Sequence, residues 1–192
     1  MVRAILWLDA VLLVGLALAA AGKLPALHDQ GVWTWTASAG SSLTAALAAL
    51  SAFELTSPGR SRLWGWLPLP GFVLWVGASG LGCAALPSDA DAWGDTLEEA
   101  RECLGFLLKI SAPLLALMLF MLWRAAPVMP WRAVAMGGLA SAGAAASLLA
   151  LVHPHDAALL DLGAHAIALA VVLAAAAVAA QLVRRFRPSA AG

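Results

Sequence analysis

LGFLLKISAPLLALMLFMLW (residues 104–123), RAAPVMPWR (124–132), AVAMGGLASAGAAASLLALV (133–152), HPHD (153–156) and AALLDLGAHAIALAVVLAAAAVAAQLV (157–183) follow one another without a break. Each of the three apolar runs has about 20 residues or more, enough to cross a bilayer core as a helix. The first connector is basic and the second acidic, and the run after it ends on Arg184 and Arg185. Arginine-rich connections alternating with acidic ones are the pattern of a polytopic membrane protein with a positive-inside bias. Four residues at His153 leave room only for a tight return, so the runs at 133–152 and 157–183 are expected to form an antiparallel hairpin.

The same alternation continues upstream. Apolar runs at 4–22, 36–55 and 67–86 are separated by Leu24-Pro25, by Ser57-Pro58-Gly59 with Arg60 and Arg62, and by Pro87-Ser88-Asp89. These are turn signals. The expected fold is a single all-α domain of six transmembrane helices with both ends cytoplasmic, and the segment from Pro87 to Glu102 is expected to be a long acidic outer loop. A rival reading of the first run is a cleaved signal peptide, but Asp9 inside it argues against that.

Composition agrees. The 192 residues are 62% hydrophobic and 11% charged, where a soluble domain carries about 25% charged residues. Net charge is zero, so no direct contact with nucleic acid is expected, and the lipid bilayer is the first partner. The zero conceals a polarised distribution. Arg3, Arg60, Arg62, Arg124, Arg132, Arg184, Arg185 and Arg187 fall on the predicted inner side. Asp29, Asp89, Asp91, Asp95, Glu98, Glu99, Glu102, Asp156 and Asp161 fall on the outer side. Seven of the nine tryptophans, among them Trp33, Trp35, Trp123 and Trp131, stand near predicted span ends, where an amphipathic ring suits the headgroup zone. The fifth run, with Gly137, Gly138, Ser141 and Gly143, has the small residues that let helices approach closely in lipid.

Candidate chemistry gathers on the outer side. Cys83 ends the third run and Cys103 precedes the fourth, so antiparallel neighbours would bring both near the outer surface. A redox pair, two inert thiols packed as small hydrophobes and a metal-binding pair all fit two cysteines at this spacing. His153, His155, Asp161 and His165 lie at the outer end of the last hairpin. Asp161 and His165 are four apart and share a helix face. With Cys103 they would suit zinc or copper, and without a partner they read as interfacial histidines beside a structural Asp–His pair. No resident cofactor is expected, only an ion bound transiently at the outer face.

Two intramembrane charges need an account. Lys109 would be a functional residue if buried, with Asp161 its nearest partner, or it would snorkel to the outer headgroups. Asp9 is expected to face the bundle interior or a partner helix. Glu54 is expected near Arg60 or Arg62. No phosphate-binding glycine loop, nucleophile elbow or zincin motif is present, which disfavours an enzyme.

Several stretches resemble the NrsF family of six-helix bacterial inner-membrane anti-sigma factors. They are Cys103-Leu104, Ile110-Ser111-Ala112-Pro113-Leu114-Leu115-Ala116-Leu117, Arg124-Ala125-Ala126-Pro127 and His153-Pro154-His155-Asp156, with Val32-Trp33 and Pro58-Gly59-Arg60 upstream. The resemblance implies a protein that holds an extracytoplasmic-function sigma factor at the cytoplasmic face and releases it under stress, notably from heavy metals. It implies a sensing role for Cys103. The family's second cysteine, before the proline of the last outer loop, is His153 here, so Cys83 or His153 would have to replace it. Family members also carry a cytoplasmic stretch before the first span, where this chain has Met1 to Arg3. A sigma factor would then be met by Arg60, Arg62, Arg124, Arg132, Arg184, Arg185 and Arg187. The alternative function is a small transporter or structural subunit of a larger membrane complex, with Lys109, Asp161 and His165 lining a path.

Overall fold

The computed structural model describes residues 1–22, 31–85, 93–125, 130–152 and 159–186. Six α-helices are present, α1 (Val2–Ala20), α2 (Val32–Glu54), α3 (Leu69–Ala85), α4 (Trp93–Ala125), α5 (Trp131–Val152) and α6 (Leu159–Phe186), with a short 3₁₀ helix at Arg62–Trp66. There is no strand among the described residues. Among the described residues, five helices are long and apolar enough to cross a membrane: α1, α2, the Ala100–Ala125 part of α4, α5, and the Leu162–Val183 part of α6. The 17 residues of α3 reach about 25 Å at 1.5 Å per residue.

α5 is the centre of the bundle, packed against α2, α4 and α6. Its small residues make this possible by facing different neighbours. Gly137 lies against Met118 and Leu122 of α4, Gly138 against Leu173 of α6, and Gly143 against Ser41 and Ala45 of α2. The small-residue run is therefore buried in the interior, as expected from its composition. These pairings also show that successive helices alternate in direction, the late part of α4 meeting the early part of α5. α1 is peripheral: only Ala4 and Trp7 are buried on it.

α2 and α3 come still closer. A Cβ added to Gly40 would lie 2.5 Å from the Trp75 backbone nitrogen, and one added to Gly71 would lie 2.8 Å from that of Thr44. The two backbones touch, as small residues allow. Hydroxyls inside this apolar region return to their own helix, Thr44 Oγ1 donating to Gly40 O at 2.7 Å and Ser141 Oγ to Gly137 O at 2.9 Å. These two buried hydroxyls are thereby satisfied. Between α2 and the 3₁₀ helix the chain reverses through Ser57-Pro58-Gly59-Arg60, with Arg60 N bonded to Ser57 O and Gly59 at φ +80°. Proline then glycine is what a type II turn requires.

Two expectations are corrected. The fourth helix does not begin at Leu104: it begins at Trp93 and takes in most of the acidic segment expected as loop. Hydropathy marks only where a helix is apolar, whereas acidic residues at a helix N-terminus are favoured by the macrodipole. Glu98 and Arg101 form an i,i+3 ion pair there at 2.8 Å. The third and fourth helices are also not close neighbours: α3 packs on α2 and touches α6, while α4 packs on α5 and α6.

Candidate functional site

Five helices converge on a cavity of about 80 Å³ at the end of the bundle where α2 begins and α5 finishes. α2 contributes Trp33, Thr34, Ser38 and Ser41; α3 contributes Trp75 and Ser79. Cys103 comes from α4, Ala146 and Leu149 from α5, and His165 from α6. The volume admits a few waters or a small ion. Its wall is mostly apolar, with one thiol, one imidazole and several hydroxyls pointing to the same space.

Each wall residue has a structural reason for its place. Cys103 lies nearly three turns inside α4, on the buried stripe that continues through Leu107 and Leu114. His165 lies in the second turn of α6, between the buried residues Ala164 and Ala168. Its ring stands edge-on to the buried indole of Trp75, at 6.3 Å between centroids and 80° between planes, and Phe72 holds the other side of that indole. Ser41 Oγ and Ser147 Oγ are 3.0 Å apart, Ser42 Oγ donates to Ser147 Oγ at 3.1 Å, and Ser147 Oγ is 2.8 Å from Gly143 O. Three hydroxyls thus tie α2 to α5 beside the cavity floor. Ser147→Ala is expected to cost only about 0.6 kcal/mol, the average of side-chain hydrogen bonds between membrane helices, measured as unfolding free energy in bicelles. Further in, Thr44, Ala45 and Ala142 are buried and close the space.

The opposite end of the bundle is basic. Arg60, Arg62, Arg124 and Arg185 are exposed there and Arg132 is half-buried. Three of them lie over aromatic rings: Arg60 over Trp64, Arg124 over Phe120 and Arg132 over Trp131, at 5.6–6.0 Å from the centroid. Arg60 Nε is also 2.9 Å from Glu54 Oε2, the ion pair expected from the sequence. That oxygen is buried without an aligned hydrogen bond, so the contact is a charge pairing more than a directed bond. Leu63 and Trp66 of the 3₁₀ helix are exposed beside these arginines.

The structure thus brings Cys103 and His165 into one cavity and leaves other candidates elsewhere. Lys109 is exposed on the outward side of α4, away from this cavity. Asp9 is exposed on α1 instead of facing the interior. The backbones of Cys83, Asp161 and Arg184 lie in α3, α6 and α6, but their side chains fall outside the described residues, as do His153, His155 and Arg187 entirely. No group of three His, Cys, Asp or Glu fit to hold a metal occurs among the described residues. Trp75 was missed by the sequence reading. Its signal was a tryptophan well inside an apolar run, where the headgroup explanation of the other rings does not apply.

A family model described as NrsF, negative regulator of sigma F, matches residues 1–186 of the chain. No curated protein and no solved structure matches it.

Proposed function

The chain belongs to the NrsF family of negative regulators of sigma F, and on that premise we propose that it is an anti-sigma factor embedded in the bacterial inner membrane. Its basic end faces the cytoplasm and holds an extracytoplasmic-function sigma factor. Its cavity end faces outward and triggers release when a heavy-metal ion or an oxidant reaches Cys103. The observation that carries this reading is the cavity wall, where a thiol from α4 and an imidazole from α6 face one small space. Sulfur and imidazole nitrogen are donors for soft and borderline ions. His153, His155 and Asp161, on the same hairpin as His165, are the candidate further donors, and Cys83 the candidate second thiol.

Burial restricts Cys103 to reagents small enough to enter the cavity, such as an ion. A bound ion shifts the bundle only if it binds one packing more tightly than the other. The cavity lies where α2, α3, α4, α5 and α6 meet, so drawing Cys103 and His165 together moves α4 against α6. Arg124, Arg132 and Arg185 are carried by the far ends of α4, α5 and α6, and Arg60 and Arg62 by the segment that follows α2. Transport through the bundle is not favoured, because Lys109 points away from the cavity and Thr44, Ala45 and Ala142 fill the space beneath it.

Cys103→Ser is expected to leave the protein inserted and repressing. The metal concentration giving half-induction of a sigma-dependent reporter should rise about tenfold or more, the size of an ordinary coupling free energy. Unchanged induction at normal protein levels would sink the sensing role of this cavity. Co-purification of the sigma factor with the intact membrane protein, with and without metal, tests the holding role separately.

A further inference from the structure

Two opposite charges stand on the outside of the bundle, Asp9 within an apolar face of α1 and Lys109 at the head of one on α4. On α1 the exposed side chains are Ile5, Leu6, Leu12, Leu13 and Leu16, with Asp9 among them and opposite the buried Trp7. On α4, Lys109 is exposed in a face continued by Ala112, Pro113, Ala116 and Phe120. Neither has an ion pair among the described residues, where the pairs are Arg60–Glu54 and Arg101–Glu98. A carboxylate turned toward lipid is costly. Asp9 stands seven residues into its helix, about 10 Å from the start, and its side chain is too short to snorkel.

The two charges lie at similar depth. Trp7 Nε1 donates to Leu114 O at 3.1 Å, which fixes the level of α1 against α4. The helices are antiparallel, so Asp9 lies about 3 Å and Lys109 about 7.5 Å beyond that level in the same direction. The offset of about 4.5 Å is within reach of a lysine side chain. We infer that the chain pairs with a second copy of itself through the outward faces of α1 and α4, Asp9 of each copy meeting Lys109 of the other. A twofold axis along the bilayer normal preserves depth and makes both contacts at once. Each copy supplies both charges, so no other membrane partner is required. The inference rests on the membrane placement proposed above and not on sigma binding.

The test is energy transfer between donor- and acceptor-labelled full-length chains in lipid bilayers, with no sigma factor present. Wild-type copies should associate. Asp9→Lys alone or Lys109→Asp alone should weaken association about tenfold or more, since each loses both contacts and gains repulsion. Mixing the two variants should restore it. The copy with Asp9→Lys then offers a cation at both positions and the copy with Lys109→Asp an anion at both, so each contact again joins opposite charges. Should charge reversal impair insertion, Asp9→Asn and Lys109→Gln serve instead and should weaken association about fivefold. Wild-type copies that stay dispersed on lipid dilution would overturn the inference. So would mixed variants that associate no better than either alone, or neutral variants that match wild type.

Discussion

Gly40→Ala should remove about 2–3 kcal/mol of stability, the upper part of the range for overpacking a tight interface. A single methyl at this position meets the backbone nitrogen of Trp75 at 2.5 Å and its Cα at 2.8 Å. Neither atom can rotate away as the end of a side chain would, so α3 itself must retreat from α2. That retreat carries Trp75 with it and opens the wall that His165 meets edge-on. Gly77→Ala makes the same chemical change in α3 where a Cβ meets nothing within 4 Å. It should leave stability unchanged within about 0.5–1 kcal/mol. Unfolding free energies measured side by side in bicelles decide the matter, and equal values would mean that α2 and α3 are not in backbone contact.

Trp7→Ala should release α1 while α2 to α6 remain packed. Trp7 is fully buried, and its indole N–H bonds to Leu114 O. The only other fully buried residue of α1 is Ala4, with Leu8, Val11 and Val14 partly buried against the core, so Trp7 is the largest single part of the attachment. Replacing a core tryptophan by alanine costs about 3–5 kcal/mol in water-soluble proteins. Lipid solvates the freed surface, so about 3 kcal/mol is the expected loss here. Gly15 lies against Leu148 in the native packing, and a short bismaleimide should link Gly15→Cys to Leu148→Cys. That cross-link should vanish in the Trp7→Ala background. Trp7→Phe keeps the ring, loses about 1 kcal/mol of hydrogen bond, and should retain the link. Persistence of the cross-link without Trp7 would place the anchor elsewhere.

The bundle was legible because its apolar runs and charged connectors state the number of helices and their alternation directly. Small residues at Gly137, Gly138 and Gly143 also marked α5 as the interior helix, since close packing has few other uses for them. Adjacency was not legible. Nothing in the order of the chain says that α6 rather than α3 lies beside α4, so the meeting of Cys103 with His165 depended on tertiary packing. The acidic start of α4 looks like loop in the sequence because charge excludes a segment from the bilayer without excluding it from a helix. Asp9 and Lys109 were recognised as anomalous charges, but only the packing of Trp7 on Leu114 shows which way their helices turn.

The contact between Trp7 and Leu114 joins positions 107 residues apart, and this has a consequence in time. At about 5–20 residues per second, the ribosome makes Leu114 some 5–20 seconds after Trp7. Throughout that interval α2 is the neighbour available to α1, and a mean hydropathy of 2.1 suits α1 to wait in the bilayer. Its tryptophan waits for a carbonyl not yet synthesised, and the seam with α4 closes only after α4 has entered the membrane. The seam between α1 and α4 is thus among the last of the bundle to be fastened.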